Sequence, residues 1–375
     1  MASNYNLDTV KNLNKDFIDL YLCLVNRYDK KSNVMNPLSL MNALRLLYYG
    51  TSGKTKKSLD EETNIKKMID VAPSSMHSRT GAFLRYGYKF KDSYWAKFNE
   101  NNILDYIPRN TNAMNKLNRL INKKKSSYWC EKNDPFFKSY FNDTIRLYIK
   151  DHSCFEGDWE VPFDKEFTKN ESFYIGKETI QVPMMTACKK CSAFTYFDEK
   201  LDALLIELCY TNGYSMFIIM PRIPHTKEEL INFMSKKLSV DDIANFNTYN
   251  KINCRYNKIK MPKFEFETEI ELDSGMYFDN NLSPYMGIFF KIKDLDMRNI
   301  CEEFRVGFKD LELDSITNIK NHENGTSVES ITEVICFDCN NKPPPPESLV
   351  INKSFYFMIV DSTTFNIHAI GMKVD

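Results

Sequence analysis

The sequence lacks net charge, long hydrophobic runs and any clustering of its few histidines. Lys plus Arg and Asp plus Glu both number 50, so no single-sign field draws the chain to nucleic acid or to an anionic membrane. The longest apolar run, Met216 to Met220, is strand-sized and far short of the roughly 20 residues a membrane helix needs. The histidines, His77, His152, His225, His322 and His368, pair with no nucleophile, so no catalytic residue is assigned and an enzyme is not expected. The start, MASNYNLDTVKNLNKDF, has no basic stretch followed by an apolar one, so no secretory signal is expected. A cytoplasmic monomer is the expectation. Alanine is scarce while Asn, Lys, Ile and Tyr are abundant, the bias of an AT-rich coding sequence.

Ten cysteines are scattered without the rhythm of a disulfide scaffold, which suits reduced thiols. Two Cys-x-x-Cys pairs, Cys188–Cys191 and Cys336–Cys339, have the spacing of structural zinc half-sites. They lie far apart in the chain, and neither a metal nor another cofactor is expected.

What is present is a globular composition: 43% hydrophobic and 14% aromatic. At 375 residues the chain can form one large core or two ordinary ones. Residues 8–28 carry Val10, Leu13, Phe17, Leu20 and Leu24 at helical spacing. Residues 33–37 read as a short strand, followed by a helix over Ser39–Tyr49 that Gly50 closes. Residues 56–80 are polar and match neither period. A further amphipathic helix is expected over Asn112–Lys125.

From Thr144 the texture turns to strands: Ile145–Ile149, Ala203–Leu208, Tyr214–Met220, Lys263–Thr268 and Ser354–Val360, with one helix over Thr226–Leu238. Helices dominate the first third and strands the rest, with no linker between them. A single α+β domain over residues 1–375 is expected.

One segment does not fit a core strand. Glu323-Asn-Gly325-Thr326 opens a β-prone run that ends in Asp338-Cys339, shortly before Pro343 to Pro346, which no sheet interior accepts. It reads as a strand held out in a loop, over about residues 323–347.

Several strings, in order, carry a resemblance. They are Asn33…Pro37-Leu-Ser39…Gly50-Thr-Ser-Gly53-Lys-Thr55; Phe155-Glu-Gly157-Asp-Trp159…Pro162-Phe163…Thr168…Phe173; Val182-Pro183-Met184-Met185; Leu208-Cys-Tyr210…Ile219-Met-Pro221; Met261-Pro262-Lys263-Phe264; and Ile351-Asn352-Lys353-Ser-Phe355 with Gly371-Met-Lys-Val374. Together they resemble the serpin family across nearly the whole chain. The resemblance implies three β-sheets, about nine helices and an exposed reactive loop. It also implies protease inhibition, in which the protease cleaves the loop, is acylated by it, and is carried along as the loop inserts into the central sheet.

A strand entering a sheet buries alternate residues. The resemblance implies that the residues alternating from the hinge threonine face inward; here these are Thr326, Val328, Ser330 and Thr332, all uncharged. Glu329 and Glu333 fall on the outward face. The hinge is thus Glu323, Gly325, Thr326, Val328, Ser330 and Thr332, although Val328, Glu329 and Ile331 are bulkier than the small residues the family uses. Asn36, Asp151 and Ser315 replace the serine, asparagine and histidine expected where the sheet opens.

Counted from Glu323 by the family's usual loop length, Cys339 falls immediately before the scissile bond. The loop of intracellular poxvirus serpins of the cytokine-response-modifier type is one residue shorter and gives Asp338-Cys339 as the reactive bond, which this sequence resembles in residue type and offset from the hinge threonine. Ile335, Cys336 and Phe337 precede it and suit an Asp-directed protease of the caspase or granzyme B type. Lys342 is a poorer site because Pro343 follows it. The partner implied is the target protease. The alternative is a non-inhibitory serpin that binds a partner or is cut as a decoy, and a cysteine cathepsin acting at Cys339 or a neighbouring bond is a third possibility.

Overall fold

The computed structural model describes residues 7–25, 32–62, 65–71, 78–85, 87–98, 102–107, 146–153, 155–188, 191–237, 252–256, 258–273, 296–301, 304, 312–328, 330–331 and 348–375. In chain order the elements begin with α1 (Leu7–Val25), β1 (Asn33–Met35), α2 (Pro37–Gly50), α3 (Gly53–Glu62) and α4 (Ile65–Val71). Next come β2 (Ser78–Arg85), α5 (Asp92–Trp95), β3 (Asn102–Ile107), β4 (Leu147–Ser153), β5 (Phe155–Asp158), β6 (Asp164–Ile175) and β7 (Glu178–Ala187). They continue with β8 (Cys191–Asp198), β9 (Ala203–Cys209), β10 (Tyr214–Pro221), α6 (Lys227–Lys237), β11 (Ile252–Tyr256), β12 (Ile259–Pro262) and β13 (Phe264–Asp273). The last are β14 (Glu312–Asn321), β15 (Gly325–Val328), β16 (Ser330–Ile331), β17 (Leu349–Val350), β18 (Phe355–Asp361) and β19 (Ile367–Lys373).

The chain forms two compact units interleaved along the sequence. The first is Met1–Pro37, Phe155–Ile270 and Asp314–Asp375; the second is Leu38–Cys154 and Glu271–Leu313.

In the first unit a seven-stranded sheet runs β1-β19-β18-β10-β9-β8-β11. Its inner strands β10 and β18 are almost wholly buried, which is why Met216–Met220 and Phe355–Val360 read as unbroken apolar runs rather than alternating ones. Helix α1 packs against β19. The stripe Val10, Leu13, Phe17, Leu20 and Leu24 is buried, and Asn14 anchors the helix by donating from Nδ2 to the Phe365 carbonyl at 2.6 Å. A four-stranded sheet runs β17-β12-β7-β6, and a five-stranded one runs β13-β14-β15-β5-β16.

In the second unit β3, β2 and β4 form a sheet, with β2 parallel to β3 and antiparallel to β4. Helix α2 ends at Gly50, where a Cβ would meet Ile300 Cγ1 at 2.4 Å. The glycine there serves close packing of the helix end as well as ending the helix. Within the polar stretch over residues 56–80, which matches neither period, lie most of α3, all of α4 and the start of β2. Helix α3 buries only a few of its residues, Thr55 and Leu59 most completely, too narrow a stripe to show as a period in the sequence.

Six helices lie among the described residues; the one expected over Asn112–Lys125 lies outside them. β4 and β5 are separated by Cys154 alone. The architecture is α+β, as read from the sequence.

Candidate functional site: a hinge strand seated between two others

The expected hinge lies in the first unit as β15. A tight turn reverses the chain after β14: the His322 amide donates to the Gly325 carbonyl at 2.9 Å, and the Gly325 amide to the His322 carbonyl at 3.2 Å. β15 then runs antiparallel to both neighbours. Lys320 faces Ser327 and Asn321 faces Thr326 on the β14 side. On the β5 side the register is Gly325 with Asp158, Thr326 with Gly157, Ser327 with Glu156 and Val328 with Phe155. The hinge is therefore an inner strand with partners on both edges.

Gly325 is required by this seating. A Cβ at Gly325 would lie 2.1 Å from the Gly157 carbonyl oxygen and 2.7 Å from the Asp158 Cα. Both are backbone atoms, which cannot swing aside as a side chain can. Facing it, a Cβ at Gly157 would strike the rings of Phe155 and Tyr210. Thr326 is 2% exposed and Ser327 is half-buried. Thr326 Oγ1 donates to Asn321 Oδ1 at 3.0 Å, and Asn321 Nδ2 donates to the Pro262 carbonyl at 3.0 Å. The threonine hydroxyl is thus satisfied in its buried position, which spares the cost of an unpaired polar group.

Glu323 caps the arrangement. The residue is 4% exposed. Lys263 Nζ donates to Oε2 at 2.9 Å and to Oε1 at 3.1 Å, and Thr168 Oγ1 donates to Oε1 at 2.9 Å. Burial acts to raise its pKa, but hydrogen bonds from Lys263, a backbone amide and Thr168, with the lysine charge, outweigh it and hold the carboxyl below its ordinary value. Its carbonyl accepts from the Phe163 amide at 2.7 Å, the Asn324 carbonyl accepts from the Trp159 amide at 2.8 Å, and the His322 carbonyl accepts from Trp159 Nε1 at 3.1 Å. Trp159 stacks on Tyr210 with centroids 4.4 Å apart and planes at 18°. The turn beyond β14 is thereby bonded to the segment that follows β5. Burial lowers the His322 pKa despite the neighbouring Glu323. Burial drives that of Tyr210 well up; its hydroxyl has Thr326 as polar neighbour but meets no hydrogen-bond geometry among the described residues.

The ladder between β14 and β5 stops at Val328. Ser330 and Ile331 pair in parallel with Phe155 and Glu156 on the other edge of β5. Of the remaining expected site residues, Thr332, Ile335, Cys336, Phe337, Asp338 and Cys339 lie outside the described residues. Cys188 is exposed at the end of β7. Asp151, one of the departures where the sheet opens, lies in the second unit and accepts from Ser39 and Thr80.

Thr168, Lys263, Asn321, Trp159 and Tyr210 were not singled out by sequence as site residues. All but Asn321 sit inside the strings quoted above, but nothing local shows that Thr168, 155 positions away, and Lys263, 60 positions away, meet on Glu323.

Comparison with known proteins agrees with this geometry. A sequence model of the family described as Serpin (serine protease inhibitor) matches residues 12–375. The chain belongs to the serpin family. It is 24% identical over 325 residues to serine proteinase inhibitor 2 of Variola virus, covering 83% of this chain and 86% of that one. It is 27% identical over 320 residues to a serpin-like protein of Methanosarcina acetivorans, covering 76% of this chain and 72% of that one. Among solved structures, a cleaved Serpin 42Da superposes with a TM-score of 0.73 at 16% identity over 98% of both chains. At that identity the likeness shows the fold alone.

Proposed function

We propose that this chain inhibits an Asp-directed protease of the caspase or granzyme B type, acting as a monomeric single domain over residues 1–375 in the cytoplasm of a host cell, where it suppresses apoptosis or inflammation. The protease's serine or cysteine attacks the Asp338 carbonyl. The Asp338–Cys339 bond breaks, the amine of Cys339 leaves with a proton, and Asp338 stays bound to the enzyme as an ester or thioester. Ile335, Cys336 and Phe337 occupy the upstream subsites. The freed loop then extends β15 between β14 and β5, taking the enzyme with it.

The observation that supports this most is the seat of the hinge. Gly325–Val328 lies between two strands and antiparallel to both, so insertion continues a ladder that is already begun. Thr326 faces the interior, and the uncharged Val328, Ser330 and Thr332 follow at the same parity.

Incubation with caspases and granzyme B tests the reading, with a denaturant-resistant covalent complex as the expected result. Thr326→Arg should abolish that complex while leaving loop cleavage intact, because a guanidinium buried without a partner costs several kcal/mol, on the order of 3 or more. Equal inhibition by the variant and the parent would rule insertion out.

A second reading, a decoy that is cut but does not trap, is favoured by one observation. The ladder ends at Val328, and Ser330 pairs on the far edge of β5. Cleaved chain without a complex would select the decoy. Mass-mapping of the cleavage point separates Asp338–Cys339 from a bond at or beyond Cys339.

A further inference from the structure

Two Asn-Gly steps lie in the first unit: Asn212-Gly213 in the turn between β9 and β10, and Asn324-Gly325 in the turn that leads into β15. An asparagine before glycine is chemically fragile, because the next residue has no Cβ to keep its backbone nitrogen from the side-chain carbonyl. By sequence the two steps are alike. Their surroundings set them apart.

Asn212 is 7% exposed. Its Nδ2, the atom that would have to leave, donates to the Glu156 carbonyl at 2.8 Å. Asn324 is exposed, and the bonds it makes among the described residues come from its backbone. Its amide donates to His322 Nδ1 at 3.3 Å, and its carbonyl accepts from the Trp159 amide at 2.8 Å. The Gly325 nitrogen donates to the His322 carbonyl at 3.2 Å, a long bond that a brief opening of the turn releases.

We propose that Asn324-Gly325 is a site of self-modification: Asn324 deamidates in the folded chain, and the isoaspartate that forms unseats β15. The Gly325 nitrogen bonds to Asn324 Cγ, the Cγ–Nδ2 bond breaks, and ammonia leaves with the Gly325 proton. Water then opens the cyclic imide. Attack at Cγ restores the original backbone with aspartate in place of asparagine. Attack at the main-chain carbonyl frees an α-carboxylate and routes the backbone through Cβ and Cγ, one atom longer.

The turn has no slack for that extra atom. The His322, Glu323 and Asn324 carbonyls accept from Trp159 Nε1, the Phe163 amide and the Trp159 amide. Gly325 sits so close to the Gly157 and Asp158 backbone that not even a Cβ fits. In isoaspartate the oxygen that accepts from Trp159 belongs to the freed carboxylate, and Gly325 loses its register with Asp158. Either product also adds an anion beside Glu323, whose lysine partner is already engaged. That an unseated hinge ends inhibition rests on the insertion reading; the modification does not.

The test needs no protease. The full chain is kept at body temperature and mildly alkaline pH for several weeks, then digested in acid. Aspartate and isoaspartate at both positions are counted by mass spectrometry, with methyl-transfer labelling of isoaspartate. Asn324 should convert about tenfold faster than Asn212, because its turn opens more readily than the enclosed one. Conversion should quicken with pH, since the nitrogen attacks after losing its proton. Asn324→Gln must close a larger ring and should give no product at that position. Equal rates at the two positions, or an unmodified Asn324, would overturn the proposal.

Amide exchange at Thr326 and Ser327 reads the seat of β15. Chain enriched in isoaspartate should exchange faster at both. Asn324→Asp carries the charge without the added atom and should exchange as the parent does. An aged chain that exchanges no faster than a fresh one would sink the unseating. If the hinge is modified and unseated but fresh chain traps no protease, the proposal stands and the insertion reading falls.

Discussion

Glu323 is buried and Asp151 half-buried; both carboxylates accept hydrogen bonds from side chains on other elements, yet their pKa values move in opposite directions. Glu323 receives a lysine ammonium and a threonine hydroxyl and is held below its ordinary value. Asp151 receives two hydroxyls and an amide and is pushed up to about 7. The number of hydrogen bonds does not decide the direction; a formal positive charge in direct contact does. The hinge acid is a fixed anion across the physiological range, and the β4 acid is poised within it.

The signs of the two linkages follow. The depressed pKa of Glu323 gives stability that is present above the unfolded value of about 4.3 and is lost as pH falls through the folded value. For Asp151 the stability is fully present below the unfolded value of about 3.9 and is lost as pH rises toward about 7. Acid therefore weakens the hinge cluster while it tightens the β4 cluster.

Four substitutions break or sharpen this contrast. The largest effect is expected from Gly325→Val, because its branched side chain meets the Gly157 and Asp158 backbone. It should destabilise by about 3 kcal/mol in chemical denaturation and unseat β15, seen as faster amide exchange at Thr326 and Ser327. Lys263→Met leaves the Glu323 anion without its counter-charge. A fully buried pair broken in this way costs about 3–5 kcal/mol, but Lys263 is 39% exposed, so about 2 kcal/mol is expected near neutral pH. That penalty should disappear in acid, where Glu323 takes up a proton.

Asp151→Asn should do the reverse, stabilising the chain by about 1–2 kcal/mol above about pH 7 and by nothing near pH 4. The smallest change is expected from Tyr210→Phe. Its hydroxyl is buried without a bonded partner among the described residues, so removing it should shift stability by less than about 0.5 kcal/mol, in either direction. A loss above about 1 kcal/mol would reveal a bond to Thr326 that matters.

How much of this was legible in the sequence depends on range. Strands made of continuous apolar residues, such as Tyr214–Pro221 and Phe355–Asp361, announced themselves, and so did the stripe of α1. The hinge was legible because the resemblance implies that the threonine faces inward, and alternation, a local rule, extends that face along the strand. Helix α3 was missed because it buries only a few side chains and so has no strong period; α4 buries Ile65, Met68 and Ile69 at helical spacing, but at seven residues it is too short for the period to stand out. The partners of Glu323 were hidden for a different reason. Thr168 and Lys263 belong to β6 and to the residue between β12 and β13, and only the sheets bring them together. Asp151 was visible as a departure from the family pattern, but the donors around it were not: Thr80 joins it through the pairing of β2 with β4.

The central claim is that the loop lengthens β15 within its sheet once it is cut. The direct measurement is the heat resistance of the chain before and after proteolysis within residues 323–347, made on the parent and on Thr326→Arg. Because the intact fold of an inserting serpin is held by a barrier, unfolding rates are compared rather than equilibrium values. The account predicts a large gain in heat resistance for the cleaved parent and little or none for the cleaved variant. A cleaved parent that unfolds as readily as the intact chain would contradict it.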